Sequence, residues 1–127
     1  MDTNKSLRIV SYPSQVISAY HNNKVVHVTL DSGATVSFII LPEATRLGMK
    51  IHKASQLVSQ ADGETKLHVI GEVHDTLIRG DIKFSFNALV VRKLNDTSTL
   101  AGMNFLSKTK FVKNLSSIEL QSKENII

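Results

Sequence analysis

Along most of this chain apolar and polar residues alternate one by one, the period required of a strand with one face in a core. In Lys24-Val25-Val26-His27-Val28-Thr29-Leu30 the residues Val26, Val28 and Leu30 fall on one face. Gln15-Val16-Ile17-Ser18-Ala19-Tyr20 reads as a second strand. The His21-Asn22-Asn23 link between them carries asparagines, which tolerate positive φ, and predicts a hairpin. Ser37-Phe38-Ile39-Ile40 is a nearly continuous apolar run, the pattern of a strand covered on both faces. Residues Gln56 to Gln60 and Thr65 to Ile70 flank Ala61-Asp62-Gly63-Glu64, whose Asp-Gly marks a tight hairpin tip. Gly71 to Ile78 and Ile82 to Val91 predict another pair, turning at Arg79-Gly80-Asp81, with Ile82, Phe84, Phe86, Ala88 and Val90 on one face. Phe111-Val112 and Ser117 to Leu120 are short-strand candidates before a tail that carries no pattern.

Two segments break the period. In Leu41 to Gly48, Pro42 suits a first helical position, Glu43 complements the N-terminal dipole, and Gly48 suits the C-terminal cap. Met103 to Lys108, after Gly102, predicts a second short helix. The expectation is an all-β single domain over residues 1–127, with its core at about 13–120, built of short hairpins with one or two short helices.

Composition narrows the chemistry. There is no cysteine, which excludes disulfides, thiolate nucleophiles and Cys-type zinc sites. No apolar run approaches the roughly 20 residues that cross a bilayer, and the polar start Met1-Asp2-Thr3-Asn4-Lys5 has no signal-peptide core, so no membrane partner is expected. The net charge of +4 invites a polyanion reading, but the Lys and Arg residues are scattered, and no nucleic-acid surface is expected. The five histidines show no i, i+4 helical pair, so no metal site and no cofactor is expected. Asp75, Asp81 and Asp96 read as turn or surface carboxylates.

The segment that concentrates chemistry is Val28-Thr29-Leu30-Asp31-Ser32-Gly33-Ala34-Thr35. Asp31 sits at the end of an apolar strand, where burial can perturb a carboxylate. Ser32 offers a hydroxyl, Gly33 lets backbone approach closely, and Ala34 keeps the space clear. Asp-Ser-Gly alone is an ordinary turn sequence. Its apolar flanks, Val28 to Leu30 before and Val36 to Ile39 after, place this turn against a core instead of on a solvated loop.

With these residues the chain resembles the retropepsin family, the retroviral and retrotransposon aspartic proteases, over about Pro13 to Leu120. Leu30-Asp31-Ser32-Gly33-Ala34 is similar to the family's Asp-Thr/Ser-Gly-Ala loop. Ser59 to Thr65 around Asp62-Gly63 matches its flap hairpin, and Leu100-Ala101-Gly102 with Met103-Asn104-Phe105-Leu106 its late glycine motif. The fuller pattern resembles gypsy-type long-terminal-repeat retrotransposons.

The resemblance implies a closed retropepsin-like β-barrel or sandwich completed by homodimerisation, acting as an aspartic endopeptidase on a polyprotein. Asp31 of each of two identical chains would activate water. Two carboxylates sharing one proton divide base and acid roles, and their apparent pKa values belong to the pair. Ser32, Gly33 and Ala34 would form the catalytic loop and fix dimer register, and Ala61, Asp62, Gly63 and Glu64 would cover an extended peptide. Leu100, Gly102 and Asn104 would support the site, and terminal segments such as Leu7 to Val10 would supply a dimer sheet. A cytoplasmic location, including virus-like particles, goes with that reading. In many retroviral members an aspartate follows the alanine and pairs with an arginine after the late glycine. Here Thr35 and Met103 occupy those positions, so both charges are absent together. The alternative is a non-catalytic retropepsin-like dimerisation or peptide-binding module.

Overall fold

The computed structural model describes residues 15–54, 58–60, 66–113 and 118–122, with side chains for 15–54 and 67–108. The strands are β1 (Gln15–His21), β2 (Lys24–Leu30), β3 (Ser37–Ile40), β4 (Val58–Gln60), β5 (Lys66–Arg79), β6 (Ile82–Val91), β7 (Thr99–Ala101), β8 (Thr109–Lys113) and β9 (Ile118–Ser122). The helices are α1 (Leu41–Arg46) and α2 (Met103–Leu106). The strands β1-β2-β7-β3-β6-β5-β4 are hydrogen-bonded in that order, and a bridge between Tyr20 and Ile78 joins β1 back to β5. Six strands thus close into a barrel, with β4 attached outside β5. The pair β8–β9 forms its own small sheet.

Alternation in the sequence becomes the inside and outside of this barrel. Ile17 and Ala19 of β1, Val26, Val28 and Leu30 of β2, and Phe84, Phe86, Ala88 and Val90 of β6 point into one core. Phe105 of α2 caps it, with ring centroids 5.9 Å from Phe84 and 6.1 Å from Phe86. Phe38, Val69, Leu89 and Val91 form a second cluster on the other side of the sheet. That cluster explains why β3 and the end of β6 lose their alternation: both faces there are covered.

Local chemistry sets the turns. Asn22 and Asn23 adopt φ of 51° and 64°, and His21 pairs directly with Lys24, so β1 and β2 join through a two-residue turn whose twist suits a hairpin. Helix α1 ends where Gly48 turns to φ 73° and the Gly48 and Met49 amides donate to the Thr45 and Ala44 carbonyls, a Schellman cap. Among the described residues no helix is long and apolar enough to cross a membrane.

Three expectations need correction. Residues 65–70 and 71–78 are not separate strands: β5 runs unbroken for 14 residues, with a bulge between Val69 and Gly71 that shifts its register against β6. His21 does not belong to the link; it is the last residue of β1, 7% exposed, with Nδ1 donating to the Thr76 carbonyl. Its Nε2 lies 3.5 Å from Asp75 Oδ2, a carboxylate 30% exposed on β5 and so at the surface, as expected. Helix α2 stops at Leu106, and Lys108 only closes a turn onto Phe105.

Candidate active site

Strand β7 is only three residues long, yet it organises the site. It pairs parallel with β2 (Thr29 opposite Leu100, Leu30 opposite Ala101) and antiparallel with β3 (Phe38 opposite Leu100, Ile39 opposite Thr99). The chain that leaves β2 at Asp31 must therefore pass around the end of β7 to enter β3. The turn 31–36 is this crossing.

Its position is held by backbone hydrogen bonds. Asp31 N–H donates to the Ala101 carbonyl at 2.9 Å, and Ala34 N–H to the Asp31 carbonyl at 3.2 Å. From the other side, the first two amides of α2 donate to the turn: Met103 N–H to Ala34 O at 2.7 Å and Asn104 N–H to Thr35 O at 3.1 Å. Helix N-termini carry such unsatisfied donors, and here carbonyls of the turn satisfy them. Gly33 N–H donates to Asp31 Oδ1 at 2.8 Å, which fixes one carboxylate oxygen. Asp31 is partly exposed, Ser32, Gly33 and Thr35 are exposed, and Ala34 is buried at 2%.

Gly102 makes the close approach possible. A Cβ there would lie 2.3 Å from the Val36 carbonyl oxygen and 2.7 Å from that of Ala34. Its amide donates to Ser37 Oγ at 3.0 Å, and Ser37, fully buried, donates in turn to Asn104 Oδ1 at 2.7 Å. Asn104 Nδ2 then donates to the Asn87 carbonyl at 2.8 Å. This chain of bonds ties β3, α2 and β6 together behind the turn, and buried polar groups satisfied in this way rigidify what they join. Thr29 Oγ1 adds a bond to Thr97 Oγ1 at 2.8 Å on the β2 side.

Asp31, Ser32, Gly33, Ala34, Leu100, Gly102 and Asn104 are thus all gathered at one crossing. Ser37 and Asn87 join them, and sequence reasoning missed both. Only the strand register, which sets Ser37 opposite Ala88 beside Asn87, reveals them. The hairpin-tip residues Ala61, Asp62, Gly63 and Glu64, and the terminal segment Leu7 to Val10, lie outside the described residues. Thr35 and Met103 are both exposed, so neither replaces a buried charge. Met103, 40% exposed, lines an apolar hollow of ≈ 300 Å³ with Gln15, Leu30, Ser32 and Leu106, directly beside the turn. Among the described residues no three histidine or carboxylate side chains gather as a metal site.

The family model described as gag-polyprotein putative aspartyl protease matches residues 17–108. Three solved structures share the fold. The retroviral protease-like domain of Ddi1 from Leishmania major has a TM-score of 0.65 at 17% identity, covering 91% of this chain and 92% of that one. EIAV protease, complexed with the inhibitor HBY-793, has a TM-score of 0.59 at 16% identity, covering 77% and 92%. A retropepsin-like aspartic protease from Rickettsia conorii has a TM-score of 0.53 at 23% identity, covering 83% and 79%. No curated protein matches the chain in sequence.

Proposed function

The chain belongs to this gag-polyprotein aspartyl protease family, and from that premise we propose that it is an active endopeptidase, working as a homodimer in which two copies of Asp31 activate one water. The observation that carries the reading is the geometry of the turn. Asp31 stands at the end of β2, its carboxylate oriented by Gly33 N–H and its backbone held by Ala101 and, through Ala34, by Met103. A structural turn does not require a rigid polar network behind it, whereas a carboxylate that must meet a second one at a fixed distance does.

In this reading the second carboxylate comes from a second copy, each copy bringing the Asp-Ser-Gly turn at Asp31. A two-fold axis beside Asp31 would bring its symmetric equivalent into reach. Exposed Ser32 and the apolar hollow of Leu30, Met103 and Leu106 supply a surface for that contact. One carboxylate then acts as base toward water while the other, protonated, polarises the scissile carbonyl. The substrate is an extended segment of a polyprotein, with Ala61 to Glu64 covering it.

The test incubates the protein at high concentration and moderately acid pH with a diverse peptide mixture, and compares products with those of Asp31→Asn by mass spectrometry. Internal cuts that vanish in the variant, at a rate rising faster than linearly with protein concentration, support the dimeric protease. A wild type as inactive as Asp31→Asn while sedimentation shows stable dimers would sink catalysis and favour a dimerisation or peptide-binding module.

A further inference from the structure

The bonds behind the Asp31 turn continue past Asn87 to a charged side chain on the outer face of the barrel. Val73 points into the barrel, so His74 stands on the opposite face of β5, directly across from Asn87 on β6. His74 Nδ1 meets Asn87 Oδ1 at 3.0 Å, and Nε2 meets Glu72 Oε2 at 2.7 Å. An amide oxygen and a carboxylate only accept, so the ring donates from both nitrogens, as an imidazolium does. The bonds to Asn87 and Glu72 raise the His74 pKa above the usual histidine value. The titratable groups facing the ring are Glu72, beside it on β5, and His52, with ring centroids 5.4 Å apart. Asn87 on β6, Ser37 on β3 and Asn104 on α2 are uncharged.

Asn87 carries two bonds that lead in different directions. Its side-chain oxygen accepts from His74, and its backbone carbonyl accepts from Asn104 Nδ2 at 2.8 Å. Asn104 in turn accepts from Ser37 Oγ and donates its backbone N–H to the Thr35 carbonyl, inside the turn. A second hollow, of ≈ 120 Å³, is lined by His74 and Asn87 and by Val36, Ser37 and Asn104, so the ring reaches the turn through Asn87. The element with two states is the Asn87 side chain. It presents Oδ1 to a ring that carries a proton on Nδ1, and it cannot keep that bond once Nδ1 is bare. A neutral ring keeps its one proton on Nε2, against the stronger carboxylate acceptor, which leaves Nδ1 as an acceptor facing an acceptor.

We propose that His74 is a positioning residue for the Asp31 turn: its Nδ1–H holds Asn87 and, through Asn104, fixes the turn in the geometry that two facing carboxylates need. The inference rests on the reading of the chain as a dimeric protease and adds a control to that site. While the ring is an imidazolium, Asn87 is held at its side chain by His74 and at its carbonyl by Asn104. When the ring becomes neutral, the Asn87 amide turns or withdraws, and the backing of the turn loosens. Because the His74 pKa is raised, the clamp is complete below the ordinary histidine value of about 6.5 and is lost as pH rises through the higher folded value. The turn is therefore best ordered in acid.

The test uses two substitutions of the full chain that each keep one of the two donors of the ring. The amide of His74→Asn reaches the place of Nδ1 and still donates to Asn87, whereas that of His74→Gln reaches the place of Nε2 and serves only Glu72. At pH 5.5, with a peptide cut in the mixture, His74→Gln should lower kcat about three- to tenfold and leave KM within about twofold, the size of coupling carried by such networks. His74→Asn should restore the wild-type rate. In the wild type the Asn104 side-chain amide and the Gly33 backbone amide should shift in nuclear magnetic resonance spectra with the midpoint of the His74 ring, and in His74→Gln that titration should vanish. If the two variants behave alike, or if Asn104 and Gly33 do not follow His74, the positioning role is overturned. The spectra separate the two readings. Cutting that neither substitution alters rejects the positioning role alone, and amides that follow His74 in a protein that cuts nothing support the role and reject the protease.

Discussion

Replacing Gly102 by alanine tests the crossing on which the site depends. The new Cβ would lie 2.3 Å from Val36 O and 2.7 Å from Ala34 O, where ordinary contact begins near 3.4 Å, so the turn and β7 must part by about 1 Å. Neither obstacle is a flexible side chain; both are backbone. Overpacking of this kind costs about 1–3 kcal/mol. The same displacement stretches the Met103–Ala34 and Gly102–Ser37 bonds, worth about 0.5–1.5 kcal/mol each. The expected loss is about 2–6 kcal/mol, a large share of the roughly 6–19 kcal/mol that a domain of this size has. For a chain of this length that lowers Tm by roughly 8–22 °C. The chain has no tryptophan, so urea and thermal unfolding would be followed by far-UV circular dichroism, at one protomer concentration because association shifts apparent stability. Gly80→Ala is the control: Gly80 sits at φ 63°, whereas Gly102 is extended, and a Cβ at Gly80 meets nothing within 4 Å. It should lose only about 1–2 kcal/mol. A Gly102→Ala protein no less stable than Gly80→Ala would refute the steric reasoning.

Ser37→Ala leaves the Gly102 amide and Asn104 Oδ1 without their buried partner and should cost about 2–3 kcal/mol, whereas exposed Ser85→Ala should stay within about 0.5 kcal/mol; urea midpoints compare them. Thr99→Val should be neutral or stabilising by up to about 1 kcal/mol, because Thr99 Oγ1 is buried with no hydrogen-bond partner; a clear loss in urea titration would contradict this. The raised pKa of His74 means that the folded state holds its proton more tightly than the unfolded one. The stability difference between wild type and His74→Gln should therefore be fully present below the ordinary histidine pKa of about 6.5 and fade as pH rises through the higher folded value. With His74 half exposed the effect should stay below about 1 kcal/mol, and a difference that grows with pH would reverse the assignment.

Much of this fold could be read from period alone. The faces of β2 and β6 and the helix signals of Pro42 and Gly48 agree with the structure because one local rule decides each of them. Strand β5 was legible only in pieces. The bulge at Ile70 interrupts the alternation, and the change of register that repairs it is visible only against β6. Strand β7 carries too short a pattern to announce itself, and its existence depends on partners some 60–70 residues earlier in the chain. The Asp31 turn stood out from its flanks, but the Ser37–Asn104–Asn87 bonds behind it need three separate elements to be placed first. His21 escapes a local reading for a related reason: the Asp75 carboxylate and the Thr76 carbonyl that receive it lie 54 and 55 residues away.

The brevity of β7 also has a temporal consequence. Hairpins such as β1–β2 close across two residues, but the turn at Asp31 acquires its backing only when Leu100 to Asn104 arrive. Closing a loop of that length carries an entropy cost of roughly 3–4 kcal/mol, which the few bonds of β7 must offset together. During synthesis, at about 5–20 residues per second, some 4–14 s separate the emergence of Asp31 from that of Gly102. Through that interval the aspartate sits on an unbraced ribbon, where only the local bond from Gly33 N–H can orient its carboxylate. The order of translation therefore postpones the backing of Asp31 until all six strands of the barrel have been made.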